Sequence, residues 1–194
     1  MKQLLILLVF LPLLSLSQLR EKVIIKSDNF EIVYSEVLEQ PTLVKYTIPC
    51  PYGSVINSRN GMDFHKTEGV HTSDNKDYYK NVWDKGHMVP SADFNCDKVL
   101  MKSVYSYVNC ALQHEELNRK HWRYLESYER KLTQYGDIDI IIRIIFGSEK
   151  LPTGATIPSF FQKEIYLDGE LYGIWKFPNT DAVIDKKVND FRVK

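Results

Sequence analysis

The chain has 194 residues, 44% of them hydrophobic, which suits one domain with a real core. Its 25 basic and 25 acidic residues cancel, so no global field attracts a polyanion, and any anionic ligand must be held by a local patch. Apart from the N-terminus no long apolar segment occurs, which argues against a chain with several membrane spans.

The first residues have the pattern of an export signal. Lys2 gives the positive start, LLILLVFLPLL the apolar run, and Ser15 and Ser17 the small residues a signal peptidase inspects. Pro12 and the short run argue against a spanning helix, which needs about 20 apolar residues. The expected organisation is a signal peptide over 1–17 and a single domain over 18–194, giving a soluble protein that is secreted or periplasmic. Strand-like segments follow at 22–26 (KVIIK), 30–35 (FEIVYS) and 42–48 (TLVKYTI), rich in β-branched and aromatic residues. Residues 53–81 read as loop, with SRNG, EG and SDNKD as turn signals. NVWDKGH reads as a short strand entering a turn, and 93–107 as a helix started by Asp93.

The best helix of the chain is predicted over 114–134, with Leu117, Tyr124, Tyr128 and Leu132 on one apolar stripe. IDIIIRIIFG (138–147) reads as a buried strand. FFQKEIYLD (160–168) and LYGIWKFP (171–178) read as a hairpin around Asp168-Gly169. Strands on either side of a central pair of helices predict an α+β domain. Three cysteines, Cys50, Cys96 and Cys110, allow one disulfide in an exported chain and leave one thiol over. Cys96 with Cys110 is the short-loop option, worth about 3 kcal/mol; the sequence leaves all three pairings open. No C-x-x-C spacing occurs, which argues against metal binding by these cysteines.

Two clusters carry candidate chemistry. In QHEELNRKHWRYLE (113–126), His114-Glu115 resembles the start of a zinc-protease helix, but Asn118 stands where the second His would be, and His114-Glu115 is read as solvent-facing. Asn118, Trp122 and Glu126 are spaced by four, with Asn118 and Glu126 about 12 Å apart along an α-helical axis. Their oxygens are hard donors, suited to Mg²⁺ rather than Zn²⁺, although such residues on a helix flank are most often merely solvated. The second cluster is DKGHMVP (84–90), which presents His87 at a strand end beside Lys85. A lone His is more often structural than catalytic, and a lone Lys an ordinary surface residue.

Order and spacing of the two clusters together change that balance. DKGHMVP resembles the D-R-G-H motif of the DNA/RNA non-specific endonucleases, the sugar-non-specific and endonuclease G-like nucleases. The family's following Asn…Gln…Leu-Asn…Trp…Leu-Glu pattern is matched by Asn109, Gln113, Leu117-Asn118, Trp122 and Leu125-Glu126. SRNGMDFHKTEGVHTSDNKDYYKNVWDKGH and IPSFFQKEIYLDGELYGIWKFPNT resemble flanking family segments, so the likeness spans about 42–180. It implies an α+β fold, a central antiparallel sheet with helices and a ββα-metal finger, and a secreted metal-dependent endonuclease cutting DNA, RNA or both with little sequence preference.

By resemblance, His87 is the general base, Asn118 the direct metal ligand, and Glu126 an orienting group for water around the ion. Asn109 and Gln113 would hydrogen-bond around the site. Lys85 replaces the usual Arg, keeping the charge but losing the bidentate fork, and Arg59 is the candidate for an upstream transition-state cation. Mg²⁺ is the expected ion, with Mn²⁺ as another divalent option. Trp122 and Leu125 are expected to pack the helix. The family's later Ile-Glu…Thr-Gly-Leu-x-Phe-Phe segment has no match here. The alternative is a non-catalytic nucleic-acid-binding module of the same fold, which would not need His87, Asn118 and Glu126 together.

Overall fold

The structure, a computed structural model, describes residues 18–193. The export signal expected over 1–17 lies outside the described residues. Among them, six antiparallel strands form the main sheet in the order β1-β2-β3-β6-β7-β8. They are β1 (Val23–Lys26), β2 (Phe30–Ser35), β3 (Gln40–Thr47), β6 (Ile138–Lys150), β7 (Thr156–Leu167) and β8 (Glu170–Pro178). Between β3 and β6 the chain makes a separate pair, β4 (Trp83–His87) with β5 (Cys110–His114), and the helices α1 (Lys98–Ser103) and α2 (Arg123–Leu132). This is the expected α+β class.

Period-two alternation in the strands sets one buried face. Ile138, Ile140, Ile142 and Ile144 of β6 share it with Ile32, Val44, Phe161, Ile165 and Phe177. The β7–β8 turn forms where expected: Asp168 and Gly169 both take positive φ, 50° and 80°, as a tight type I′ hairpin requires.

The turn leading into α2 lies over this face through Trp122, whose ring meets Phe161 at 5.5 Å and Phe177 at 6.1 Å. Below it Lys163 and Glu129, both with fully buried side chains, pair at 3.2 Å. The Tyr46 hydroxyl donates to Glu129 at 2.8 Å, and the Lys163 Nζ lies 4.2 Å from the Trp122 ring centroid.

Several sequence expectations need correction. The helix expected over 93–107 is broken. Asp93 sits in a short 3₁₀ turn, Ser91–Phe94, its buried carboxylate held by Arg130 at 2.7 Å. Asp97 caps α1 instead, accepting the Val99 and Leu100 N–H groups at 2.6 and 3.0 Å. Cys96, between the two, is pinned to Cys50 in a disulfide of Cα–Cα 5.5 Å, leaving Cys110 as the free, buried thiol.

The helix expected from 114 starts just after it, because His114 still pairs with Trp83 as the last residue of β5. Its ring is not solvent-facing: it packs edge-on to Trp83, and its Nδ1 accepts the Glu116 N–H at 3.2 Å. Tyr124, assigned to the apolar stripe, is 61% exposed.

Candidate active site

The strand pair β4–β5 carries the first half of the site. Asp84 faces Gln113, Lys85 faces Leu112, Gly86 faces Ala111 and His87 faces Cys110. Gly86 is required by a close approach: a Cβ there would lie 2.5 Å from the Gln113 Oε1. The free edge of β5 docks on the main sheet through side-chain amides rather than a strand. The Gln40 Oε1 accepts the Leu112 N–H at 2.9 Å; Asn179 accepts the His114 N–H at 2.7 Å and donates to the Leu112 and Pro158 carbonyls at 2.9 and 2.8 Å. Asn179, in the Pro-Asn turn after β8, thus fixes the pair that bears His87.

His87 ends β4 with its imidazole between two rings, Phe64 at 4.7 Å and Tyr105 edge-on at 4.9 Å. Its Nε2 is buried without a hydrogen-bond partner among the described residues. Burial, reinforced by the positive charge of Arg59, lowers its pKa to about 3, so the ring is neutral at ordinary pH.

Lys85 sits in an aromatic box. Its ammonium lies 5.2 Å from the Phe64 ring, 5.3 Å from Tyr107 and 6.0 Å from Tyr78, and it donates to the Asn75 side-chain oxygen. The Tyr107 hydroxyl donates to that same oxygen at 2.6 Å. The box is shaped for a compact ammonium, which gives a local reason for Lys where the resembling motif has Arg.

The helix after β5 opens with a π turn, Leu117–Trp122, in which the Arg123 N–H reaches back five residues to the Asn118 carbonyl. The extra residue lets Trp122 bury in the core while Asn118 and Glu126 both face the cleft. The four-residue spacing read from sequence would have put all three on one side. The Asn118 amide is oriented by Asp84, whose Oδ2 accepts its Nδ2 at 2.9 Å. Asp84 also takes two bonds from Arg119, at 2.9 and 2.8 Å. The Asn118 oxygen, at the other corner of the amide, accepts no hydrogen bond among the described residues.

One turn further, Glu126 is buried enough to raise its pKa to about 7, an effect that Lys163 opposes and Glu129 reinforces. Arg130, four residues on, joins the cleft wall while bonding Asp93 and the Ser127 hydroxyl at 2.7 and 3.0 Å. Arg59 arrives on the long polar loop. The Cys50–Cys96 bridge and the two bonds from Asn57 to the Asn95 carbonyl, 2.9 and 2.8 Å, moor that loop.

These elements enclose a cleft of about 360 Å³. Arg59, Lys85, His87, Asn118 and Glu126 all line it, so five of the seven site residues singled out from sequence converge. Asn109 and Gln113 do not line it. Asn109 is a buried clamp: it accepts the Val89 N–H at 2.8 Å and donates to the Val89 and Val104 carbonyls, both at 2.9 Å, fixing the chain just past His87. Gln113 is fully buried against Gly86, behind the strands. Their place is in support of the site, not in contact with a ligand in the cleft.

Sequence reasoning missed Asp84, which stands first in DKGHMVP, and Arg130, which lies at i+4 from Glu126 and was findable by helical spacing. It also missed the cleft residues Arg119 and Arg123. Five cations, Arg59, Lys85, Arg119, Arg123 and Arg130, surround the cleft with Glu126 its one acidic liner among the described residues. That is the local patch a chain of zero net charge needs in order to hold an anion.

The donor set suits a hard divalent cation. No group of three or more His, Cys, Asp or Glu able to hold a metal occurs among the described residues, which disfavours an all-protein zinc cage. A free amide oxygen on Asn118, with the Glu126 carboxyl lining the same cleft, offers the hard oxygens that a divalent cation keeping most of its waters can use.

Comparison with known proteins gives the family. The profile of the family described as DNA/RNA non-specific endonuclease matches residues 16–194. The chain is 28% identical over 119 residues to "Nuclease EXOG, mitochondrial" of Danio rerio, covering 58% of this chain and 35% of that protein. It is 32% identical over 87 residues to "Nuclease" of Syncephalastrum racemosum, covering 44% and 27%. The match thus spans about a third or less of these curated relatives. Among solved structures, one titled "Crystal structure of the EndoG/EndoGI complex: Mechanism of EndoG inhibition" has the same fold. Its TM-score is 0.74 at 21% identity, over 88% of this chain and 80% of that one. With the family profile covering nearly its whole length, the chain belongs to the DNA/RNA non-specific endonuclease family.

Proposed function

We propose that this protein is an exported, divalent-metal-dependent endonuclease that hydrolyses phosphodiester bonds in DNA, RNA or both with little sequence preference. The observation that carries this reading is the single cleft in which a neutral His87, the open amide oxygen of Asn118 and five cations meet. Family membership and the relatives named as nucleases point the same way.

In this reading Arg59, Lys85 and Arg130 hold the scissile phosphate, contacts that carry no direct sequence information. His87, packed between Phe64 and Tyr105, takes a proton from the attacking water as the oxygen adds to phosphorus. The bond from phosphorus to the 3′ oxygen breaks as the new one forms, and that oxygen takes a proton from solvent water, giving a 5′-phosphate and a 3′-hydroxyl. An imidazole with so low a resting pKa is a weak base; burial is the main cause, and the incoming phosphate charge would offset the smaller effect of Arg59. Asn118, oriented by Asp84 and with Glu126 beside it, would hold the ion in a ββα-metal arrangement of β4, β5 and the helix. The bound ion would supply positive charge to the phosphate and the leaving oxygen. Export is supported by the Cys50–Cys96 disulfide, a bond that persists in oxidising compartments.

The test is incubation of the purified protein with supercoiled plasmid and with RNA, in Mg²⁺, Mn²⁺ or EDTA. Cutting that needs the metal is expected. Binding in a gel shift with intact nucleic acid under every ion would instead assign the chain as a non-catalytic binding module.

A further inference from the structure

Beside the cleft runs a larger groove, of about 690 Å³. The two are continuous, since Arg119, Arg123 and Ser127 line both. One wall is the π turn and the start of α2; the other is the C-terminal 3₁₀ turn, Val188–Phe191, with Lys187 before it. Arg119 and Lys120 are tied to Glu115 and Glu116. Arg123 and Lys187 pair with no carboxylate among the described residues, which leaves two cations free to meet phosphates.

Tyr124 stands between them at 61% exposure. The core is filled by Trp122 and Leu125, so Tyr124 packs into nothing that would explain an exposed aromatic on the helix. Beyond Tyr124 the groove runs on into a recess of about 180 Å³ lined by the partly buried Tyr128 and Tyr172, with Trp175 buried in its floor. There the Arg192 guanidinium lies 5.8 Å from the Tyr172 ring and 5.2 Å from Trp175.

A cationic track interleaved with aromatic rings is the pattern that takes unpaired nucleotides, whose phosphates meet the cations and whose base faces stack on the rings. A duplex offers no such faces, because its bases are stacked on one another. We propose that this groove is an extended subsite for single-stranded nucleic acid, with Tyr124 as the first stacking platform outside the catalytic cleft. The proposal rests on the nuclease reading of that cleft, and it adds a preference for unpaired strand that the cleft alone does not provide.

The test uses the full chain carrying His87→Ala, so that ligand survives, and reads fluorescence anisotropy. The probes are a labelled 20-nucleotide strand, its duplex and a dinucleotide. The strand is expected to bind about tenfold more tightly than the duplex. Tyr124→Ala should weaken strand binding about tenfold, and Tyr124→Phe should restore it. Lys187→Ala, on the opposite wall and outside the helix, should weaken it severalfold, which guards against a helix defect in the Tyr124 variant. Equal affinity for strand and duplex, or less than a twofold change in Tyr124→Ala, would overturn the subsite. The two readings fail separately. Plasmid cutting by the parent protein, with strand binding unchanged in Tyr124→Ala, removes the groove alone. Tyr124-dependent strand binding by a parent that cuts nothing supports the groove and removes the nuclease.

Discussion

His87 and Glu126 share one cleft, yet it moves their pKa values in opposite directions, down to about 3 and up to about 7. Burial does both, since it disfavours the charged form of either group. For Glu126 the consequence for stability has a definite sign. In metal-free protein its folded-state pKa lies above its ordinary 4.5, so the folded form holds a proton that the unfolded chain has released. That contribution is complete below pH 4.5 and is lost as pH rises through about 7. Glu126→Gln removes the dependence. In EDTA, the variant should gain about 1–2 kcal/mol on the parent between pH 4.5 and pH 8, a figure reduced from the full shift because the side chain keeps some contact with solvent. Urea unfolding across that range checks it, and parallel pH profiles would contradict it. His87, Asn118, Glu126 and Lys85, which the motif order marks, line one cleft, and so does Arg59, which only the likeness of its flanking loop had suggested. Asp84 was passed over because its partners, Asn118 and Arg119, lie more than thirty residues away, and only the fold brings the three together.

The decisive element is the π turn at the head of α2. Sequence periodicity placed a helix there and found its length, but no simple pattern announces one extra residue in a turn. That residue is why Trp122 is buried, Tyr124 is exposed and Asn118 still shares a cleft with Glu126. Deleting Lys120 should convert the turn to ordinary α-helix and rotate Asn118 by about 100° relative to Glu126. Cleavage should fall at least about 100-fold, as one misplaced catalytic group can cost, while circular dichroism keeps its helical signal. Full activity in the deletion variant would show that the turn does not set the site. The broken helix at 93–107 is the complementary case. Good helix formers are present, but a buried ion pair at Asp93 and a disulfide at Cys96 hold the first part out of helical geometry.

Across the whole molecule, the main sheet was readable from its alternating strands and its Asp168-Gly169 turn. The docking of the small strand pair was not, because it depends on the amides of Gln40 and Asn179, from opposite ends of the domain. Nor could the disulfide be chosen from three cysteines. The observed Cys50–Cys96 bridge closes a span of 46 residues, against the short loop of the Cys96–Cys110 option. A loop of that size is worth about 4 kcal/mol in the chain-entropy account. Reduction, or Cys50→Ser with Cys96→Ser, should lower the unfolding free energy by about 2–4 kcal/mol. It should also weaken substrate binding through the freed Arg59 loop. Urea titration with and without reductant measures the first effect; an unchanged midpoint would place the tether elsewhere.

The central claim is that His87 acts as the base in a metal-assisted cleavage of the phosphodiester backbone. The most direct measurement is the initial rate of supercoiled-plasmid nicking in Mg²⁺ by the parent protein and by His87→Ala, at matched concentration and with matched thermal melts. The account predicts a loss of about 10²- to 10⁴-fold, the range that removal of a positioned general base produces. A His87→Ala rate within threefold of the parent would contradict it.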